Sequence, residues 1–244
     1  MRLLIVLLYA SCMLVSCRKS TSAVKIADIS DIRAGIEVYQ SLSDQTDNMV
    51  SIDLYDKKGK QIVNDSINIW VNAKKADYKI VQQLYYSKNY YYRIEKVSPD
   101  NSRYNLEIQL PNGKKYNLGS GSALALSNPD NIICNRTASL NKDYFMEWSD
   151  LYDVNTLYIS KSVQVENKQE PTITTFLEEP SDTITIKPAG SYLIKKEKLR
   201  QPHGKLRMLI FKFTATKRGN TNPGLLKGST FIINGNHQKV VDFK

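Results

Sequence analysis

The feature that most constrains this chain is a hydrophobic alternation of period two. Val50, Ile52 and Leu54 alternate with Ser51 and Asp53, and Ile67, Ile69 and Val71 with Asn68, Trp70 and Asn72. Tyr104, Leu106, Ile108 and Leu110 alternate with Asn105, Glu107 and Gln109. The second half repeats the habit at Val163 and Val165, at Ile184 and Ile186, and along Leu209, Phe211, Phe213 and Ala215. Successive side chains of a strand point to opposite faces, so each run predicts a strand with one face on a core and one in water. That is the signature of antiparallel sheets. Turn residues fall between the runs at Asp56-Lys57-Lys58-Gly59, at Pro111-Asn112-Gly113-Lys114 and at Asn234-Gly235-Asn236, where glycine supplies the positive φ of a tight hairpin. No long helical pattern competes. Ala73 to Tyr86 has a short apolar spacing that a helix could use, but its tyrosine-rich neighbours favour a strand.

A chain of 244 residues, 41% hydrophobic and 24% charged, has the composition of a folded protein and room for two domains. A break is expected at Asn128-Pro129-Asp130, after Gly119-Ser120-Gly121-Ser122, which reads as a linker or turn. The expected fold is therefore all-β: two tandem immunoglobulin-like antiparallel β-sandwich domains over residues 25–130 and 136–244.

The N-terminus has a different character. Arg2 precedes thirteen uncharged residues, Leu3 to Val15. This is the n-region and h-region of an export signal, too short to span a bilayer. Leu14-Val15-Ser16-Cys17 resembles the lipobox of bacterial lipoproteins. The resemblance implies removal of residues 1–16, lipidation (diacyl or palmitate) of Cys17, a tether over 17–24, and attachment to the outer membrane of a cell envelope. Two acyl chains hold where one exchanges, because each buried CH₂ contributes about 0.8 kcal/mol. The three cysteines then divide: Cys12 leaves with the signal, Cys17 carries lipid, and Cys134 is read as a small buried hydrophobe. No disulfide framework is possible.

Further motifs resemble small Bacteroidetes-type two-domain lipoproteins. In the first half they are Gln83-Leu84-Tyr85-Tyr86 with Tyr90-Tyr91-Tyr92, then Tyr104-Asn105-Leu106-Glu107-Ile108 and Pro111-Asn112-Gly113-Lys114-Lys115-Tyr116. In the second they are Leu209 to Phe213, Gly219-Asn220, Asn222-Pro223 and Lys227-Gly228-Ser229 with a closing hairpin. The resemblance implies a two-sandwich envelope protein and carries no ligand-binding residue. Arg18-Lys19-Ser20 stands where surface-displayed members often have acids, which leaves both faces of the membrane open.

Recognisable catalytic motifs are absent: no His-Glu-x-x-His, Gly-x-Ser-x-Gly, phosphate loop or G-x-G-x-x-G. His203, in Gln201-Pro202-His203-Gly204, and His237, assigned to the last hairpin loop, are expected in solvent. Asp150/Asp153 and Glu178/Glu179 are the carboxylates a glycosidase could use. Asp44-Gln45-Thr46-Asp47-Asn48 resembles a calcium loop in composition alone. No catalytic residue, metal or cofactor is assigned.

Two features suggest binding. Tyr85, Tyr86, Tyr90, Tyr91 and Tyr92, read as paired strands around Ser87-Lys88-Asn89, could with Trp70 form an aromatic platform for a glycan or an envelope protein. The alternative role is packing. Ten basic residues and one acid lie between Lys187 and Arg218, in a chain of 34 basic and 24 acidic residues. Lys195, Lys196, Lys198, Arg200, Lys205 and Arg207 are thus candidates for contact with an anionic envelope component, or protect strand edges. Export argues against nucleic acid. The leading reading is a non-enzymatic, lipid-anchored recognition protein. The alternatives are a scaffold without a free ligand and a carboxylate-based carbohydrate-active enzyme.

Overall fold

The computed structural model describes residues 26–83, 87–166 and 174–244. The signal, Cys17 and the tether, with Tyr85 and Tyr86, lie outside the described residues. What is described is all-β, built as an antiparallel sandwich of three sheets with one four-residue helix, α1 (Lys196–Leu199).

One sheet has nine strands. From the first half it takes β1 (Arg33–Gln40), β2 (Asn48–Tyr55), β5 (Asp77–Gln83) and β6 (Ser87–Glu95). From the second it takes β10 (Thr137–Ala138), β12 (Val154–Glu166), β13 (Thr174–Thr185), β15 (Lys205–Arg218) and β17 (Thr230–Phe243). The order is β13-β12-β15-β17-β1-β2-β6-β5, with β10 beside the end of β17. The other sheets are smaller. β3 (Asn68–Val71), β4 (Lys74–Lys75), β7 (Arg103–Gln109), β8 (Lys115–Ser122) and β16 (Asn220–Thr221) form one. β9 (Ile132–Cys134), β11 (Tyr144–Trp148) and β14 (Gly190–Ile194) form the other.

The sheet crosses the expected boundary. β1 pairs with β17 in parallel from Gly35↔Thr230 to Tyr39↔Asn234, and β16 pairs with β8. Strands from both halves therefore share hydrogen-bonded ladders, and β1·β17 and β10·β17 are parallel exceptions in an otherwise antiparallel design.

Register shows where the core lies. Ile36 and Val38 of β1 pair with Phe231 and Ile233 of β17, and Phe213 of β15 pairs with His237; all of these are buried. The five-stranded sheet meets this face where Gly119 and Gly121 of β8 rest on Phe231 and Ile233. The three-stranded sheet meets it where Trp148 lies edge-on to Phe213 (5.6 Å) and Tyr144 stacks on Phe211 (5.8 Å). Both small sheets thus cover the same face of the large one. Among the described residues, no second layer covers the opposite face.

Buried polar groups fasten β1 and β2 of the large sheet to the five-stranded sheet and the segment that follows it. The amide of Gln40 donates from Nε2 to the Leu124 carbonyl (2.8 Å), and its Oε1 accepts from the Leu124 N–H (2.9 Å) and the Tyr104 hydroxyl (3.3 Å). Asn48 donates to the Val97 carbonyl and the Tyr104 hydroxyl and accepts from the Val97 N–H. Each buried amide replaces lost water contacts with protein ones, which is the condition for burying it at all.

Several local expectations change. Gly119-Ser120-Gly121-Ser122 is no linker but the end of β8; a Cβ on Gly119 would stand 2.7 Å from the Asn220 carbonyl oxygen, so glycine permits the close approach of β16. Asn234-Gly235-Asn236 makes no turn: β17 runs straight through it, and Gly235 is pressed against the Gln40 carbonyl. His237 is consequently buried mid-strand, with Nε2 2.9 Å from Ser127 Oγ, and burial lowers its pKa. Cys134 is half-buried, and its β9 pairs with β11. The Ala73–Tyr86 stretch is strand where described, over β4 and β5.

Candidate ligand-binding face

The sequence-derived tyrosine cluster is divided by the pleat. β5 and β6 pair from Asp77↔Arg93 to Gln83↔Ser87, so Ser87, Lys88 and Asn89 belong to a strand, contrary to the expected turn there. Tyr92 turns inward. It is 2% exposed, and its hydroxyl donates to the Asn64 carbonyl at 2.7 Å, while burial drives its pKa upward. Tyr78 packs on it with ring centroids 5.2 Å apart, and Tyr90 stacks on Tyr78 at 6.4 Å. The backbone of Tyr90 is held by one side chain. Gln61 Nε2 donates to the Tyr90 carbonyl (2.6 Å) and Gln61 Oε1 accepts from its N–H (3.2 Å), which extends the ladder where β2 stops pairing with β6.

Tyr91 faces the other way, beside a shallow groove of about 560 Å³ lined by Lys75, Asp77, Lys79, Arg93 and Glu95. Lys79 pairs with Asp77 (3.1 Å) and Arg93 with Glu95 (2.7 Å), so its charges largely neutralise one another. Trp70 belongs to the five-stranded sheet, with Lys115 Nζ 5.3 Å above its ring. The structure therefore does not join Trp70 and the tyrosines into one platform. Tyr90 and Tyr92 pack, and Tyr91 alone of the described three faces the uncovered side.

The basic candidates gather at the far end of the second half. Lys195 Nζ pairs with Asp143 (2.9 Å), and the Lys196 N–H donates to the same carboxylate. That backbone bond, then the Lys195 ammonium, holds Asp143 below the ordinary carboxylate pKa. Arg207 Nε donates to Gln164 Oε1 at 2.5 Å. Lys196, Lys198, Arg200 and Lys205 are exposed around α1 and the start of β15. Asp153 takes Lys217 (2.7 Å) and the Ala125 N–H, Asp150 takes the Tyr152 hydroxyl, and Glu178 and Glu179 are consecutive on β13 and so face opposite sides. Asp44 closes its own turn by accepting from the N–H and hydroxyl of Thr46, both at 2.8 Å. Among the described residues, no group of three or more His, Cys, Asp or Glu side chains could hold a metal ion.

The pairing register assembles a different surface, on the uncovered face of the nine-stranded sheet. Tyr39, Asn234 and Thr216 form one row across β1, β17 and β15. Asn236, Thr214, Thr156 and Thr185 form the next, across four strands. Gln238, Lys212, Tyr158 and Thr183 form a third. Tyr39 is 42% and Tyr158 46% exposed, at diagonal corners of the patch. The Thr216 hydroxyl donates to Asn234 Oδ1 (2.9 Å), and Asn236 Nδ2 reaches the Tyr39 hydroxyl (3.5 Å). Thr214 Oγ1 has no hydrogen-bond partner among the described residues. Three rows hold one formal charge, on Lys212, and no carboxylate. The rest is amide, hydroxyl and aromatic ring. Neighbouring strands repeat every ~4.8 Å, so each row offers a hydrogen-bonding group at about that interval.

The alternation of Leu209, Phe211, Phe213 and Ala215 implies that Lys212 and Thr214 point outward, but Asn234 and Asn236 read as a turn, and nothing in the sequence showed which outward faces become neighbours. That knowledge lies in the pairing of β17 with β15 and β1, which a single sequence does not display.

No protein-family model matches this chain, and no curated protein matches it. Among solved structures, one that is similar is SGBP-B of the Bacteroides ovatus mixed-linkage glucan utilization locus, in complex with a mixed-linkage heptasaccharide. The two are 13% identical with a TM-score of 0.20, over 81% of this chain and 52% of that one. This chain thus spans about half the length of that protein.

Proposed function

We propose that this chain is a lipid-anchored envelope protein that recognises a neutral glycan on the uncovered face of its nine-stranded sheet, without catalysing a reaction. The observation that carries the reading is the patch around Tyr39, Asn234, Asn236, Thr214, Thr216 and Tyr158. Sugars combine an apolar ring face with a fringe of hydroxyls. Aromatic rings stack on the first, and amides and hydroxyls bond the second. Rows that run across the strands would let an extended chain lie over the sheet without a deep pocket, and the absence of carboxylates suits a ligand without charge. The lipobox-like Leu14-Val15-Ser16-Cys17 supports the anchor, with Cys17 as the lipidated residue.

Affinity electrophoresis of residues 26–244 through gels that contain neutral or acidic polysaccharides tests the binding. Retardation by at least one neutral polysaccharide is expected, and it should weaken in Tyr39→Ala and in Tyr158→Ala. Normal migration through every neutral gel would refute it and favour a scaffolding role. Labelling with radioactive palmitate tests the anchor: Cys17→Ala should abolish incorporation.

A further inference from the structure

The end of the molecule at which the N-terminal segment enters carries a second feature. β1 begins at Arg33, opposite Tyr55 at the end of β2. β6 pairs with β2 only between Ile52↔Tyr92 and Met49↔Glu95. Residues 87–91 of β6 and their partners on β5 therefore continue toward this end without β2 beside them, held at Tyr90 by the Gln61 side chain. On this ribbon Ile80 is 57% and Val81 41% exposed; they are consecutive, so both faces of the ribbon present apolar surface.

The same end is rich in cations. Lys57, Lys58 and Lys60 follow Tyr55 in a tight turn, and Lys57 pairs with Asp31 (2.8 Å). Lys114 lies in the turn whose Asn112 bonds the Ala27 carbonyl, and Lys227 in the loop where the Leu226 N–H donates to Ile32. Lys88 is on the ribbon. All six lysines are exposed. Three acids offset half of these charges: Asp28 caps Ser30 and accepts from Tyr116, Asp31 holds Lys57, and Asp56 accepts from the N–H groups of Lys58 and Lys60, which leaves the lysines in excess.

We infer that this end is a membrane-contact surface, in which the β5–β6 ribbon enters the interface of an anionic phospholipid leaflet and the surrounding lysines meet its head groups. The inference rests on the anchored reading above, because residues 1–25 join the fold at this end and their apolar run leads to Cys17. Apolar residues on a protruding ribbon gain by leaving water, and each lysine near an anionic surface adds about 1 kcal/mol. The cluster from Lys195 to Arg207 takes no part. It lies at the other end of β17, where β15 begins beside Asp242, ~40 Å along the strand from Thr230.

Residues 26–244 contain every described strand and both layers of the core, so this piece, without lipid, is mixed with phosphatidylcholine vesicles that lack or contain phosphatidylglycerol. Co-sedimentation with the anionic vesicles at low salt is expected. It should fall about tenfold in Ile80→Ser/Val81→Ser and again in Lys57→Ala/Lys58→Ala/Lys60→Ala. Phe176→Ser, an equally exposed change on β13, and Lys195→Glu/Lys196→Glu/Lys198→Glu should leave it unchanged. Failure to bind anionic vesicles, or an equal loss in either control, would overturn the inference. Palmitate labelling of Cys17 is independent of both results and reports on the anchor separately.

Discussion

Gln40 is the residue whose removal most directly tests how the nine-stranded sheet is fastened to the five-stranded one. It is fully buried on β1, yet its three hydrogen bonds reach Tyr104 on β7 and both backbone groups of Leu124, where the chain leaves β8 for the second half. Gln40→Ala deletes all three and leaves the Leu124 N–H and C=O and the Tyr104 hydroxyl buried. The hydroxyl still accepts from Asn48 Nδ2 (3.2 Å), so its loss is partial. An unsatisfied buried group costs about 1–3 kcal/mol, and the two backbone groups alone place the loss at roughly 3–4 kcal/mol after some water enters. Guanidinium unfolding followed by tryptophan fluorescence and far-ultraviolet circular dichroism measures this. Trp70 reports on the first half and Trp148 on the second. Because β1 and β17 share a ladder, we expect one transition that moves as a unit in the variant. A loss below about 1 kcal/mol would refute the role given to Gln40. Two separate transitions in the unmodified protein would contradict the shared β1–β17 ladder.

Other perturbations follow from single observations. Ala73 holds φ 64° beside Asn72 at φ 46° in the two-residue turn between β3 and β4; Ala73→Gly should stabilise by about 0.5–1 kcal/mol, read as a higher midpoint in the same unfolding assay. Tyr92→Phe removes the bond to the Asn64 carbonyl but keeps the ring, and should cost ~1 kcal/mol with no change in glycan retention. His237 is buried with a lowered pKa, so the folded state prefers the neutral ring. Its stabilising effect is complete above the unfolded value of about 6.5 and is lost as pH falls toward the lower folded value. Melting temperature should therefore decline from pH 7 to 5, and His237→Gln should flatten that decline. Tyr39→Ala and Tyr158→Ala should each weaken glycan binding by about tenfold without loss of stability, since both rings are nearly half exposed.

Much of the architecture was legible in the alternation. Val50, Ile52 and Leu54, and Leu209, Phe211 and Phe213, are buried as the period-two rule requires. The rule failed where local chemistry was outvoted by long-range pairing. Asn234-Gly235-Asn236 has the residues of a hairpin, yet β15 runs beside it over its whole length and keeps it extended. Glycines 119 and 121 look like a linker, and their smallness instead admits β16 and the side chains of β17. His237, assigned to solvent because of that supposed loop, is buried for the same reason. For the binding face the limit is more basic. Tyr39 and Asn234 are almost two hundred positions apart in sequence and direct neighbours in the sheet. The tyrosine cluster was conspicuous because it is local, and most of what is described of it turned out to pack.

If the uncovered face binds a neutral glycan, the side-chain amides in that face report it directly. Once a retained polysaccharide is known, an oligosaccharide from it can be titrated into ¹⁵N-labelled protein. The amide signals of Asn234, Asn236 and Gln238 should then shift together, along with the backbone signals of β15 and β12 around Thr214 and Thr156. Shifts confined to the β5–β6 ribbon or to the five-stranded sheet around Trp70, with Asn234 and Asn236 unmoved, would contradict it.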